Sequence, residues 1–97
     1  MAAYIIADIQ EITDTAAFQT YAGKAGATIP KYDGRARVAR GKVEVLEGTW
    51  KPVNLVILEF PTAARAREWY NSQDYHPLVA QRHKASKGNN LILIEGV

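Results

Sequence analysis

The chain has 97 residues, of which 47% are hydrophobic and 23% charged, a composition typical of a globular domain. It contains no Cys, which excludes a disulfide framework, a thiolate nucleophile and Cys-based zinc or iron–sulfur sites. Its net charge of +2 is too small to require a polyanionic partner. The longest apolar run, residues 1–7, is far short of the ~18 residues that span a bilayer, and no basic stretch precedes it as in a signal peptide. We therefore expect a single domain over residues 1–97, in the cytoplasm and with no membrane association.

The first third of the chain predicts a strand followed by a helix. Apolar residues alternate over residues 3–10, which is the pattern of a strand. Thr13 and Asp14 are candidate N-caps, and Pro30 is expected to end the helix because it disfavours helical geometry in the residue before it. The helix has one apolar stripe, formed by Phe18, Tyr21, Ala22, Ala25 and Ile29.

The middle of the chain predicts two more strands. Asp33-Gly34 is a turn signal, and residues 35–47 read as a second strand with a bulge at Gly41. Residues 31–42 carry a local excess of Lys and Arg, which is typical either of a phosphate-binding face or, more ordinarily, of a solvated edge strand. Residues 53–60 form the strongest predicted strand of the sequence.

The last third predicts two helical segments and a closing strand. Pro61-Thr62 reads as a helix start, and Asn71-Ser72 as its end. A third helical segment is expected over residues 74–84, since Pro77 is tolerated in a first turn. Residues 87–90 predict a turn, and residues 91–95 the last strand. The inner face of the second helix is expected to hold Ala66, Trp69 and Tyr70.

The resulting order, β-α-β-β-α-(α)-β, predicts a ferredoxin-like α+β fold with an antiparallel sheet and helices on one face. The strands over residues 3–10, 53–60 and 91–95 are apolar on both faces, although helices cover only one. A bare apolar sheet face exceeds the few hundred Å² that monomers usually expose. The sequence therefore predicts a homodimer in which two sheets pack face to face into one barrel-like core.

Several short motifs of this sequence match one known family in their order and spacing. They are AYIIAD at residues 3–8, RG at 40–41, VEVLEG at 43–48, EFP at 59–61, WYNS at 69–72, Tyr75, Arg82 and EGV at 95–97. Over essentially its whole length the chain resembles the domain-of-unknown-function 1330 family of the dimeric α+β barrel superfamily. The resemblance implies the same fold and dimer, and it supplies no established reaction. The chain departs from the family's usual Gly-Gly at Asp33-Gly34, and from Arg-Gly-Gly at residues 40–42.

Two groups of residues are candidates for chemistry. If the first strand lies parallel beside residues 53–60, Asp8, Arg40 and Glu59 meet at one rim of the sheet. A desolvated carboxylate beside a guanidinium can clamp an anion or a carbonyl group. The alternative is a structural ion pair that ties two strands together.

The second group surrounds the break between the last two helices, where Tyr75, residues 77–79 and Arg82 are expected to line the mouth of a cleft. Arg82 can recognise a carboxylate bidentately. The alternative makes these residues structural, with packing for Tyr75 and an ion pair from Arg82 to Glu59 or Glu95. The remaining members of this group are Ser72, a cap in the structural reading, and His76.

No metal, cofactor or nucleic-acid site is expected. His76 and His83 are seven residues apart on one predicted helix, about 10.5 Å along its axis, so they cannot share one metal ion. The strongest strand offers Val, Leu and Ile rather than the interleaved aromatic residues of an RNA-binding sheet.

Three functions remain open. The first is a homodimer that binds a small organic molecule between sheet and helices without a cofactor. The second is a cofactor-independent oxygenase or isomerase acting on an aromatic or lactone-like substrate, as the superfamily resemblance allows. It would need a proton acceptor in the cleft, with Asp8, Glu59 or His76 as the candidates. The third is a purely structural dimer module.

Overall fold

The computed structural model describes residues 1–97 and confirms the ferredoxin-like α+β fold, with one four-stranded sheet and its helices on one side. No helix combines the length and the apolar character that crossing a membrane requires. Two 3-10 turns, Ile29–Tyr32 and His76–Leu78, precede the strand that begins at Arg35 and the helix that begins at Val79. The strands are β1 (Ala3–Ile12), β2 (Arg35–Ala39), β3 (Asn54–Phe60) and β4 (Ser86–Glu95), and the helices are α1 (Thr15–Thr28), α2 (Ala63–Asn71) and α3 (Val79–Lys84).

The sheet has the strand order β2-β3-β1-β4, and every neighbouring pair is antiparallel. The expectation of a parallel first strand beside residues 53–60 is therefore wrong. After β1, α1 returns the chain to the end of the sheet at which β1 began, so β1 and β2 run parallel to each other. β3 is inserted between them and runs antiparallel to both, so that Ala3 pairs with Phe60 and Ile9 with Asn54.

The starts of α1 and α2 follow from local capping, as the sequence predicts, whereas α3 begins at Val79 rather than at residue 74. The Asp14 carboxylate accepts a hydrogen bond from the backbone N–H of Ala17 at 3.0 Å and begins α1. Thr62 does the same for α2 through the N–H of Arg65 at 3.1 Å. α1 ends at Thr28, because Pro30 diverts the chain into a 3-10 turn.

One face of the sheet forms the core with the helices. The residues of β1 alternate, and Ile5 and Ile9 point toward the helices. Phe60 of β3 packs against Trp69 of α2, with ring centroids 5.5 Å apart. The core cluster also includes Phe18, Tyr21, Ala25, Ile29, Leu58, Ala66, Tyr75, Leu78 and Ala85.

Two strand boundaries differ from the sequence prediction. β2 ends at Ala39, because Arg40 adopts a left-handed backbone with φ 59° and turns the chain out of the sheet. Residues 40–53 contain neither helix nor strand, and the register shift in β2 lies between Ala36 and Val38 rather than at Gly41. β4 begins at Ser86 rather than at residue 91, because β1 continues to Ile12, which pairs with Ser86.

The turn at Asp33-Gly34 needs glycine for space rather than for its dihedral freedom. Asp33 is the residue with a left-handed conformation, at φ 64°. Gly34 is buried, and a Cβ atom there would lie 2.6 Å from Cε1 of Phe60 and 2.7 Å from Cγ2 of Ile29. The close approach of the turn to the core therefore excludes a side chain at Gly34.

The opposite face of the sheet, called here the open face, is apolar and bears no helix. The chain is a slab of 32 × 31 × 16 Å. Ile92 and Ile94 are 55% and 49% exposed, and their neighbours on the face are half-buried or exposed. The apolar members of the open face are Tyr4, Ile6, Val38, Val53, Leu55, Ile57, Ile92 and Ile94.

Candidate functional site

A cavity of about 320 Å³ lies between the sheet and the helices, and is called here the sheet–helix cavity. Of its 18 lining residues 15 are hydrophobic, two are arginines and none is acidic. Ala22 and Gly26 of α1 and Ala36 of β2 line it and are exposed, so its mouth lies between α1 and the edge strand. The volume is at the lower end of the range for small-molecule sites, roughly 300–1,000 Å³.

A layer of aromatic rings builds the inner wall of the cavity. Trp69 stacks on Tyr75 with centroids 3.9 Å apart and an angle of 28° between the rings. The indole N–H of Trp69 donates to Oγ1 of Thr28 at 2.8 Å, and this hydroxyl in turn donates to the carbonyl of Ala25 at 2.7 Å. The wall is therefore fixed by hydrogen bonds as well as by packing.

The polar group at the inner end of the cavity is called here the tyrosine–arginine cluster. It consists of Tyr21 of α1, Arg82 of α3, and Tyr75, which precedes the second 3-10 turn. The two phenol oxygens are 2.7 Å apart. Nη1 of Arg82 donates to the Tyr75 hydroxyl at 2.6 Å and lies 3.5 Å from that of Tyr21. Nε of Arg82 donates to Oδ1 of Asn89 at 2.9 Å. The three residues of the cluster are nearly inaccessible, and Arg82 is only 3% exposed.

Burial determines the protonation of the cluster. Desolvation, together with the neighbouring Tyr21 phenol, raises the pKa of Tyr75 far above its ordinary value, although the Arg82 charge opposes the shift. Desolvation lowers the pKa of Arg82, but the phenol oxygens of Tyr75 and Tyr21 raise it by more, so the guanidinium is cationic. At neutral pH the Tyr75 phenol therefore keeps its proton, and it lies beside a buried cation.

The cluster has more hydrogen-bond donors than acceptors. Two phenol O–H groups share one hydrogen bond between them, so that one phenol hydrogen is free for another acceptor. Nη2 of Arg82 donates to no protein atom, and Arg82 takes part in none of the ion pairs of the chain. The structural reading in which Arg82 pairs with Glu59 or Glu95 is therefore wrong.

A second arginine lies at the mouth of the cavity. Arg40 is exposed, and its guanidinium carbon lies 5.5 Å from the centroid of the Phe18 ring. Its positive φ directs the side chain to this position, at the cost of a backbone conformation that non-glycine residues rarely adopt. Both charged residues that line the cavity are thus positive.

The predicted cluster of Asp8, Arg40 and Glu59 does not form. Asp8 pairs with Leu55 at one end of β3, whereas Glu59 lies four residues further along this strand, about 13 Å away at 3.3 Å per residue. The antiparallel direction of β1 is the cause. Arg40 is at the same end as Asp8, since its N–H donates to the carbonyl of Leu55, but it lines the cavity on the opposite face. Glu59 forms an ion pair with Arg37 at 2.7 Å.

Asp8 occupies a separate polar pocket on the open face. Its Oδ2 accepts hydrogen bonds from the indole of Trp50 at 3.0 Å and the amide of Gln10 at 2.7 Å. Its side chain is buried, and Oδ1 has no partner. Trp50 thereby ties the segment 40–53 to the sheet.

The second predicted group divides between the cavity and the surface. Tyr75 and Arg82 line the cavity. Ser72 ends α2, where its hydroxyl donates to the carbonyl of Trp69 at 2.7 Å and accepts from the N–H of Tyr75 at 3.0 Å, as in its structural reading. His76 is exposed, and its Nδ1 lies 3.0 Å from the carbonyl of Tyr70.

Sequence reasoning missed Tyr21 and Asn89 as polar members of the site. Tyr21 was assigned to the apolar stripe of α1, which is correct for its ring. A buried tyrosine hydroxyl, however, usually finds a hydrogen-bond partner, and this was the available signal. Asn89 fell within a predicted turn and carried no signal of its own. Metal ligands are not grouped, since no three His, Asp or Glu side chains come together.

Solved structures with the same fold come from several bacteria. A protein of unknown function from Rhodopseudomonas palustris is 16% identical, with a TM-score of 0.79 over 99% of this chain and 82% of that one. A dimeric ferredoxin-like protein of unknown function from Jannaschia sp. is 9% identical, with a TM-score of 0.73 over 99% and 100% of the two chains. SnoaB, a cofactor-independent oxygenase from Streptomyces nogalater, is 11% identical, with a TM-score of 0.70 over 99% and 93%.

At these identities the similarity establishes the fold alone. Among curated proteins, none matches this sequence. A family model described as Domain of unknown function (DUF1330) matches residues 2–97, which is nearly the whole chain. The chain therefore belongs to the DUF1330 family.

Proposed function

We propose that the protein is a homodimer that binds a small, mostly apolar organic molecule in the sheet–helix cavity. The observation that carries this proposal is an apolar cavity whose inner end holds a fixed set of unused hydrogen-bond donors. Ligand sites typically combine apolar walls with a few convergent polar groups in this way. At about 30 Å³ for each water-sized unit, 320 Å³ accommodates roughly ten non-hydrogen atoms, which is the size of a substituted benzene ring.

The open face supports the homodimer. Eight apolar side chains, to which all four strands contribute, lie on this face, which no helix covers, and a standard protein interface buries roughly 800 Å² per partner. Similar chains of the same fold include proteins described as dimeric. A second copy of this chain fits the open face chemically, because the apolar open faces of the two copies cover each other.

The segment 40–53 supports the same assembly. Its residues 43–47 have the apolar alternation of a strand but no strand beside them, and Leu46 is 84% exposed. Fourteen residues without helix or strand are unusual in a compact fold. In our proposal the second copy covers these side chains together with the open face.

The oligomeric state tests this part of the proposal. Ile57 is at the centre of the open face, between Ile6 of β1 and Val38 of β2. We expect Ile57→Lys to convert a dimer into a monomer in sedimentation equilibrium, because it buries an unpaired charge in the interface. Ala64→Lys is the control, since Ala64 is exposed on α2, on the other side of the slab. A monomeric wild-type protein at micromolar concentration would contradict the dimer.

A matched pair of glycines tests the binding site. Gly23 and Gly26 both belong to α1, and at neither would an added Cβ meet another atom within 4 Å, but only Gly26 lines the cavity. Three probes of the right size are coumarin, trans-cinnamate and trans-cinnamamide. We expect Gly26→Leu to block binding of these probes in calorimetry, while Gly23→Leu binds as the wild type does.

Thermal shifts give the second readout. A probe at ten times its Kd stabilises the native state by about 1.4 kcal/mol. For a chain of this length, that corresponds to an increase in Tm of roughly 6–11 °C. If none of the three probes binds, or if the two leucine variants bind alike, the cavity is not the ligand site.

The composition of the cavity favours binding over proton-transfer catalysis. An oxygenase or isomerase that removes a substrate proton needs a general base within reach of the ligand. The candidates Asp8, Glu59 and His76 do not line the cavity, and no other acidic or histidine side chain does. Tyr75, with its raised pKa, is a hydrogen-bond donor at neutral pH rather than a base.

A further inference from the structure

The charge of the sheet–helix cavity is unbalanced. Arg82 is only 3% exposed, and its hydrogen bonds go to two tyrosine hydroxyls and one amide, so it has no carboxylate partner. Removing a cation from water is costly unless an opposite charge is close to it. The chain places no carboxylate within ion-pair distance of Arg82 and none on the cavity wall.

The unused donors belong to residues that line the same cavity. Nη2 of Arg82 and one hydrogen of the Tyr21–Tyr75 pair have no protein acceptor, and all three residues line the cavity. An ionised carboxylate is a pure acceptor with two oxygens, and it matches the planar fork of a guanidinium. A neutral amide of the same shape brings its own N–H donors and no charge.

We infer that the ligand of this cavity is a monocarboxylate with an apolar body, whose carboxylate lies against Arg82 and the tyrosine pair. The inference rests on the proposed function, because it names the chemical class of the ligand for the same cavity. The aromatic wall of Trp69 and Tyr75 contacts the apolar body, and Arg40 at the mouth adds a second positive charge to the path of entry.

The test compares trans-cinnamate with trans-cinnamamide, which have the same shape and differ in charge. Charge-assisted hydrogen bonds exceed neutral ones, so we expect the wild-type protein to bind cinnamate at least about tenfold more tightly in calorimetry. This comparison needs no variant and does not depend on how a substitution folds. Equal Kd values for the two probes overturn the inference and leave the proposed function standing. If none of cinnamate, cinnamamide and coumarin binds, both the inference and the proposed function are overturned.

A variant separates charge from shape. Oδ1 of Asn89 already accepts from Nε of Arg82 at 2.9 Å, so Asn89→Asp preserves this hydrogen bond and adds a carboxylate beside the guanidinium. We expect this variant to lose most of the preference for cinnamate while still binding cinnamamide. Arg82→Met is expected to lose the same preference. A full preference for cinnamate in folded Asn89→Asp would overturn the role assigned to the Arg82 charge.

Discussion

The raised pKa of the Tyr75 phenol predicts how the protein loses stability in alkaline solution. Tyr75 is 1% exposed and its hydroxyl is close to that of Tyr21, so its deprotonation in the native state is suppressed, whereas in the unfolded chain it titrates near its ordinary value of 10.0. Below this value the group has its proton in both states, and its contribution to stability is fully present. Above it the unfolded state alone releases the proton, so stability falls as pH rises.

The size of this effect follows from linkage. One proton released only by the unfolded state lowers the free energy of unfolding by about 1.4 kcal/mol per pH unit. Between pH 9 and 11.5, Tyr75 is therefore expected to account for a loss of about 2 kcal/mol. Urea denaturation of the wild type and of Tyr75→Phe over this range measures the difference between their slopes, in which the titrating groups that do not contact Tyr75 cancel.

Tyr75→Phe is expected to be less stable than the wild type at neutral pH, because Nη1 of Arg82 loses an acceptor at 2.6 Å. Its stability should then fall less steeply with pH, so that the two curves converge. Parallel curves for the two proteins would refute the reasoning, since they would mean that the buried phenol titrates alike in the native and unfolded states.

Three further predictions concern stability and are checked by urea unfolding. Gly34→Ala should lower the free energy of unfolding by about 1–3 kcal/mol, because its methyl group overpacks against Phe60. Phe60→Leu in the same chain should remove part of that cost. If the effects of the two substitutions simply add, the contact is contradicted. Trp50→Phe should cost about 1–3 kcal/mol, because the buried carboxylate of Asp8 loses a donor; an unchanged stability would mean that this hydrogen bond contributes nothing. Gly26→Ala should stabilise by about 0.5–1 kcal/mol, since the new methyl meets open space in a helix, and destabilisation would contradict that geometry.

The parts of the fold that local chemistry determines were predictable from the sequence. Asp14 and Thr62 cap their helices through hydrogen bonds to backbone groups three residues away, and such contacts depend only on neighbouring residues. The apolar character of both sheet faces was also readable, because a strand with alternate residues on each face shows both in its sequence. Ile6 and Ile92 are open-face residues of this kind.

The parts that depend on topology were not predictable in the same way. The Asp8–Arg40–Glu59 cluster failed because its geometry depends on the direction of β1 relative to β3, which no local pattern encodes. The contact between Tyr21 and Tyr75 joins residues 54 positions apart, so it exists only after α1 has packed beside the 3-10 turn that follows Tyr75. Residues 43–47 have the pattern of a strand, but a strand also needs a neighbour, and a single chain supplies none.

β1 separates the sheet–helix cavity from the open face, and its side chains alternate between the two. Ile5 and Ile9 form part of the cavity wall, while Tyr4 and Ile6 form part of the face that a second copy would cover. In our proposal, this shared strand gives ligand binding and dimerisation a route to thermodynamic coupling. If a bound molecule changes the dimer dissociation constant by some factor, dimerisation must change the affinity for that molecule by the same factor.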